Sequence, residues 1–172
     1  QAAWPSKSVR FVVPLAPGGS SEIVARTTAA ALSKSLGQSV YVDNKPGGAG
    51  NVAMAEVARA DDQHTLILGH IGTLAVNPYI FDKLPYDARK DLMPVSLLSE
   101  TYYTLAVSTS VAARTATEYA GQARANPSLG NVATYGVGTI PHLAGAWFAS
   151  VSGAEFKFIH YNNSSPFNDL MA

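Results

Sequence analysis

The stretch that decides the fold runs from Phe11 to Arg26 and reads FVVPLAPGGSSEIVAR. Its first three residues form an apolar run of the kind that a parallel sheet buries. Pro14 and Pro17 exclude a helix over the next positions, and Gly18-Gly19 allows the backbone to turn sharply with its N–H groups exposed. The stretch therefore predicts a buried strand, a tight glycine turn and then a helix.

The start of this helix predicts a site for an anion. We expect Ser20 or Ser21 to cap a helix over Glu22–Leu36, which Gly37 ends. The first N–H groups of a helix have no internal partners and its dipole is positive there, so a bare glycine loop in front of it attracts a carboxylate. The same residues also suit an ordinary turn between a strand and a helix, and both interpretations stay open.

The composition excludes several classes of protein. The chain has 172 residues, of which 47% are hydrophobic and 14% charged, as in a well-packed globular protein. Its 12 basic and 12 acidic residues cancel, so there is no basic field to attract nucleic acid. It has no cysteine, which excludes disulfides and zinc sites built from thiolates. No apolar run approaches the length that a membrane span needs.

Strand-like and helix-like segments alternate along the chain, which predicts an α/β fold with parallel sheets. Strands are expected at Val9–Val13, Ser39–Asp43, Thr65–Gly69, Met93–Ser99, Tyr102–Ser108, Asn131–Thr134 and Glu155–His160. Further helices are expected at Val52–Ala60 with Asn51 as cap, Thr117–Ala125, Pro141–Val151 and from Pro166. The predicted seam lies near residue 100, with residues 1–100 as a first lobe and 101–172 as a second.

Five loops follow predicted strands, at residues 14–21, 44–51, 70–73, 135–140 and 160–165. Ligands of open α/β sheets bind beyond the carboxyl ends of the strands. We therefore expect these loops to converge on one crevice between two lobes.

Other chemistry is weakly supported. Gly48 to Ala53 matches the G-x-G-x-x-A dinucleotide pattern, but the next strand lacks the acidic residue that holds a ribose. An α/β enzyme that uses Glu22 or His142 as a general base is an alternative, although no group is evident to orient either side chain. Trp147 and Phe148 are expected to be core residues.

The four histidines, which share no ligand spacing on one helix, predict no metal site. They are His64, His70, His142 and His160. His142 follows Pro141 in the first turn of a predicted helix, where it can donate to a ligand or simply bond to the backbone.

Together these residues resemble the extracytoplasmic solute receptors of tripartite tricarboxylate transporters, the Bug or TctC-like family. The run Pro14-Leu15-Ala16-Pro17-Gly18-Gly19, with Arg26 seven residues beyond Gly19, is similar to the family signature P-x-x-P-G-G-x-x-D-x-x-A-R. Further matches follow in order at Asn44–Asn51, Gly72-Thr73, Asn77-Pro78, Leu84–Asp87, Lys90-Asp91, Pro94–Ser96, Gly136, Gly138, His142–Gly145 and Tyr161.

The resemblance implies a type II-like periplasmic binding-protein fold whose two lobes close on a small acid, a dicarboxylate, tricarboxylate or aromatic acid. It implies a secreted, periplasmic protein without its signal peptide, which delivers the acid to membrane transport subunits. It implies no catalysis, no cofactor and no metal. The small residues Gln1-Ala2-Ala3 fit a mature end left by signal cleavage.

Backbone N–H groups, hydroxyls and bridging waters hold the carboxylate in that family, which agrees with the anion loop at Gly18-Gly19. The candidate ligand-binding residues are Ala16, Pro17, Gly18, Gly19, Ser20, Glu22, Gly72, Thr73, Tyr135, Gly136, Gly138, Thr139, His142 and Tyr161. A module that senses a ligand through protein contacts is a further alternative.

Three departures from the family pattern matter. Glu22 stands where Asp is usual, and Asn162-Asn163 replaces the usual Lys-Gly after Tyr161. Family members continue well past Ala172, so the second lobe is expected to be incomplete. An unpaired sheet edge and uncovered helix faces then predict self-association through that lobe, or loose packing after about residue 100.

Overall fold

A computed structural model describes residues 3–161 and 166–171 of the chain. Residue contacts divide the chain into two compact units, Gln1–Glu100 and Thr101–Ala172. Each unit alternates strands with helices around a parallel sheet, so the chain has the α/β architecture that its pattern predicts. The described helices include none that is long and apolar enough to cross a membrane.

The first unit is built on a three-stranded parallel sheet. Its elements are β1 (Val9–Val13), α1 (Ser20–Leu36), β2 (Val40–Asn44), a 3₁₀ turn (Gly48–Gly50), α2 (Asn51–Ala58), β3 (Thr65–Ile67), a π-helical turn (Gly72–Val76) and α3 (Asn77–Ile80). The strand order is β2-β1-β3. Because all three strands run the same way, the loops that follow them leave from one edge of the sheet.

Alternation along β1 explains why both faces of this sheet are covered. Phe11 points to the face on which Ala25 and Ala29 of α1 pack, whereas Val12 points to the other face and packs against Ala53 of α2. All of these side chains are buried. Complete burial of one such aliphatic or aromatic side chain stabilises a fold by roughly 1.5–3 kcal/mol, so β1 anchors the glycine loop that follows it.

The second unit has a smaller sheet. Its elements are α4 (Ala116–Ala125), a 3₁₀ turn (Pro127–Gly130), β4 (Asn131–Thr134), α5 (Ile140–Ser152), β5 (Lys157–His160) and α6 (Pro166–Met171). β4 and β5 pair in parallel, with Thr134 opposite His160. The loop from β4 to α5 repeats the strand, glycine turn and helix arrangement of the first unit.

Two expected strands are absent from the described part of the chain. Met93–Ser99 and Tyr102–Ser108 form no regular element, and side chains such as Met93 (84% exposed) and Tyr102 (88%) lie in solvent. A strand needs a neighbouring strand for its hydrogen bonds, and neither segment joins one of the two sheets. Apolar composition alone therefore gave a wrong prediction here.

The prediction that Trp147 is a core residue is wrong, because 70% of its surface is exposed. It lies on α5, a helix with no fully buried residue. Its neighbour Phe148 is half-buried and packs on Phe156, with ring centroids 5.6 Å apart. The apolar pattern of α5 thus predicts the helix, whereas the tertiary structure decides which of its faces is covered.

Candidate functional site

The loop between β1 and α1 places a run of exposed backbone at the sheet edge. Ala16, Pro17, Gly18, Gly19 and Ser20 are all exposed. Gly18 has a φ of 98°, a conformation that favours glycine. A Cβ added at Gly18 or Gly19 would meet no atom within 4 Å, so the loop leaves room for a ligand to approach its backbone.

The helix after this loop begins without a side-chain cap. The N-cap is Gly19, and no side chain of the described residues accepts a hydrogen bond there. The expectation that Ser20 or Ser21 caps α1 is therefore wrong, because the helix already starts at Ser20. The result strengthens the anion site, since the first N–H groups of α1 remain available to a ligand.

Glu22 reaches back from the first turn of α1 to the loop. Its carboxylate accepts hydrogen bonds from the Gly18 N–H at 2.5 Å and from Arg26 Nε at 2.7 Å. The Gly18 N–H, and then Arg26, hold the pKa of the Glu22 carboxyl below its ordinary value. Glu22 thus keeps a negative charge beside the loop and neutralises the nearby guanidinium.

The loop after β3 is closed by its own side chains. The Gly72 N–H donates to Nδ1 of His70 at 3.1 Å, and the Thr73 hydroxyl donates to the His70 carbonyl at 3.1 Å. Gly72 and Thr73 are buried, Thr73 completely. In this structure the Thr73 hydroxyl therefore supports the loop, and its expected contact with a ligand stays a prediction.

A buried polar network, which sequence reasoning missed, supports the same loop. Oδ1 of Asn51 accepts from Asn77 Nδ2 at 2.7 Å and from the Tyr86 hydroxyl at 3.1 Å, and that hydroxyl also lies 2.7 Å from the Thr73 carbonyl. Asn51 is the first residue of α2 after the N-cap Gly50, so its expected role as cap is wrong. Asn51, Asn77 and Tyr86 all lie in segments that match the family pattern, but that match did not indicate that the three side chains meet.

In the second unit, the loop from β4 to α5 has the same construction. Gly136 and Gly138 have φ values of 145° and 76°, and the Thr139 hydroxyl donates to the Gly136 carbonyl at 2.7 Å. Thr139 is the N-cap of α5 but its side chain does not cap the helix. Tyr135 is about half exposed at the end of β4.

His142 and His160 meet behind this loop. Nδ1 of His142 accepts the Gly138 N–H at 3.1 Å, and its ring lies edge-on to His160 with 4.8 Å between centroids. His160 Nδ1 lies 2.6 Å from the hydroxyl oxygen of the buried Thr134. Burial lowers the pKa of His142, and electrostatic repulsion by the neighbouring His160 lowers it further. His142 is thus bonded to the backbone, and its expected contact with a ligand stays a prediction.

Tyr161 continues from β5, and its N–H donates to the Thr134 carbonyl at 2.8 Å. Its hydroxyl donates to Asp169 of α6 at 2.5 Å, which raises the pKa of the tyrosine. The neighbouring Asn162-Asn163, a departure from the family pattern, lies outside the described residues.

Cations near the loops of the first unit are already paired. Lys45 Nζ lies 2.6 Å from Glu56, which also binds Arg10 at 2.6 Å, and Arg10 in turn binds Asp43. Within residues 3–161 and 166–171, no three His, Asp or Glu side chains gather as a metal site would require. The loops of the first unit therefore present backbone N–H groups and hydroxyls to an anion, in preference to a free cation.

Comparison with known proteins identifies the family. A family model described as the tripartite tricarboxylate transporter family receptor matches residues 24–172. A relative from Pseudomonas sp. strain P51, described as the UPF0065 protein in the tcbD-tcbE intergenic region, is 36% identical over 172 residues, which cover 99% of this chain and 51% of the relative. The chain thus spans about half the length of the curated relatives it matches.

Solved structures agree with the sequence comparison. The R. palustris protein Rpa4515 with adipate superposes with a TM-score of 0.89 at 32% identity, covering 98% of this chain and 57% of that protein. MatC (Rpa3494) from Rhodopseudomonas palustris with bound malate gives 0.83 at 31% identity, with 96% and 57% covered. The fold, the glycine loops at the strand ends and the family match agree, and the chain belongs to the tripartite tricarboxylate transporter receptor family.

Proposed function

We propose that this chain is part of an extracytoplasmic, periplasmic solute receptor that binds a small carboxylate and delivers it to the membrane subunits of a tripartite tricarboxylate transporter. Residues 1–100 and 101–172 are proposed as its two lobes. The residues proposed to bind the acid are the fourteen predicted from the sequence, which lie in both units.

The observation that carries this proposal is the uncapped start of α1 behind Gly18 and Gly19. A carboxylate there accepts hydrogen bonds from helix N–H groups and lies at the positive end of the helix dipole. The start of α5, behind Gly136 and Gly138, supplies a second loop of the same kind. Each loop suits one acidic group of the kind that adipate and malate, named with the related structures, carry.

Neutral groups are proposed to make most of the contacts. Arg26 is bound to Glu22, and Lys45 to Glu56, so neither cation is free to clamp a carboxylate. Replacing Lys45 with Ala should change the dissociation constant for the acid less than about threefold, because it removes only a partly exposed charge. A complete loss of binding in Lys45→Ala would contradict recognition by neutral donors.

The proposal includes no catalytic step. The pKa of Glu22 is lowered, and a carboxylate with a low pKa is a poor general base. Isothermal titration calorimetry tests the function with adipate, malate, citrate and benzoate. We expect at least one to bind and to be recovered unchanged after incubation. Absence of heat with all four acids, or a converted product, would overturn the proposal.

Self-association through the second unit is proposed as well. Large apolar side chains of this unit are exposed, among them Tyr102, Trp147, Val151 and Phe167. Monomeric proteins rarely leave extended apolar patches in water, and pairing with a second copy would cover them. Sedimentation equilibrium should show a concentration-dependent dimer. A monomer that stays compact at all concentrations would contradict this part of the proposal.

A further inference from the structure

Two histidines, one in each unit, make the same contact with a glycine loop. The Gly72 N–H donates to Nδ1 of His70 at 3.1 Å, and the Gly138 N–H donates to Nδ1 of His142 at 3.1 Å. Both glycines belong to loops that follow strands. Each imidazole therefore holds the backbone of a loop that carries candidate ligand-binding residues.

This contact defines the protonation state of both rings. A nitrogen that accepts an N–H must carry a lone pair, so each ring is neutral with its proton on Nε2. If Nδ1 gained a proton, two N–H groups would face each other and the hydrogen bond would be lost. A neutral ring is thus a condition for the observed loop conformation.

The surroundings of both rings favour the neutral form. Nε2 of His70 is buried and has no hydrogen-bond partner among the described residues, and burial lowers the pKa of this histidine with no charged group contributing. His142 lies against Phe158 at 5.0 Å and His160 at 4.8 Å, both on β5. His160 is the titratable group that contributes to the lowered pKa of His142, beside burial.

We propose that His70 and His142 are positioning residues that hold their loops only as neutral imidazoles, so that protonation of either ring releases its loop. The effect on ligand affinity rests on the proposed function, whereas the effect on the loops does not. Lowering the pH should therefore loosen the loops around Gly72 and Gly138 and weaken binding of a carboxylate by the whole chain.

The direction in which stability changes with pH follows from the linkage between protonation and folding. Both histidines have a folded-state pKa below the ordinary value of 6.5, so folding favours the neutral form. Their contribution to stability is complete above about pH 6.5 and is lost as the pH falls through the lower folded-state values.

Variants can separate a hydrogen-bond acceptor from a titrating group. The side-chain oxygen of Asn occupies nearly the same position as Nδ1 of His but does not titrate. His70→Asn with His142→Asn should therefore keep the loops closed at pH 7.5 and pH 5, whereas His142→Leu removes the acceptor. His64→Asn is the matched control, because among the described residues the hydrogen bonds of the His64 ring go to Ser6 and Asp62 and to neither glycine loop.

Two measurements decide the proposal. The first is long-range ¹H–¹⁵N NMR of the imidazoles together with hydrogen exchange of the Gly72 and Gly138 amides, which needs no ligand. We expect the Nε2–H form in both rings at pH 7.5, and amide protection that falls roughly tenfold by pH 5. A proton on Nδ1 of either ring at pH 7.5, or protection independent of pH, would overturn the proposal.

The second measurement is the affinity for adipate at both pH values. Adipate itself takes up protons near pH 5, which weakens its binding to both proteins alike, so the loss on going from pH 7.5 to pH 5 is compared between them. We expect this loss to be roughly tenfold larger in the unmodified chain than in the double Asn variant, whatever affinity that variant has at pH 7.5. An equal loss in a folded double Asn variant would also overturn the proposal. If adipate and the other acids do not bind at all, the proposed function fails, while the NMR result still decides the role of the two histidines.

Discussion

The carboxylate of Glu22 accepts the N–H of Gly18, with 2.5 Å between Oε2 and nitrogen. One donor of the proposed anion loop is therefore occupied by the chain itself, and a negative charge lies beside it. Asp, the usual family residue, is shorter by one methylene. The length of Glu22 thus bears directly on how the proposed receptor would admit a carboxylate.

Removing the charge of Glu22 should strengthen binding of an acid. Glu22→Gln keeps the length and the acceptor of the side chain but removes a like charge beside the loop, so the affinity for an acid should rise roughly fivefold. Calorimetric titration with adipate measures the change. Glu118→Gln is the control, because Glu118 also accepts a backbone N–H, from Arg114 at 2.7 Å, but lies in α4. Weaker binding in Glu22→Gln would show that the carboxylate itself assists the ligand.

Gly18→Val should abolish binding of an acid, which means a loss of affinity of more than tenfold. Gly18 has a φ of 98°, which costs a residue with a Cβ roughly 1–2 kcal/mol or more, and a branched side chain also covers the loop N–H groups. Gly19→Ala is the matched control, since Gly19 has a φ of −91° and space for a methyl group. Titration with adipate compares the two variants. Equal affinities would remove the β1–α1 loop from the binding site.

Glu56→Gln should lower the free energy of unfolding by about 1 kcal/mol or less at pH 7, since the ion pairs of Glu56 are partly exposed. Lys45, and then Arg10, hold the pKa of Glu56 below 4.5. This contribution is therefore present above about pH 4.5 and lost as the pH falls through the lower folded-state value. Urea unfolding should therefore show a larger difference between the variant and the unmodified chain at pH 7 than at pH 3. Glu100→Gln, an exposed glutamate, serves as the control.

Tyr86→Phe should destabilise the chain by about 1–2 kcal/mol, because the Thr73 carbonyl then loses its buried donor, whereas Asn51 Oδ1 keeps Asn77 Nδ2. Thermal unfolding measures the loss. Tyr79→Phe should have no effect, since Tyr79 is 86% exposed. If both variants melt at the same temperature as the unmodified chain, the buried network does not support the loop after β3.

Local pattern sufficed for much of the fold. The apolar run at Val9–Val13, the glycines after it and the apolar face of α1 are properties of short segments, and each predicted its element correctly. The same holds for β4 and α5. The positive φ at Gly18, Gly136 and Gly138 also follows from residue type, whereas the binding of a ligand at these loops stays a prediction.

Contacts between distant residues decided the rest. Asn51 is hydrogen-bonded to Asn77, 26 positions later, and to Tyr86, 35 positions later. Arg10 is hydrogen-bonded to Glu56, 46 positions later. No local pattern specifies such pairs, because they depend on how α2 and the loop after β3 pack on the sheet. The same reason explains why the apolar segments at 93–99 and 102–108 form no strands. The sequence by itself determined which segments can be strands, turns and helices, whereas only the tertiary structure decided which of them find partners and which side chains hold the loops.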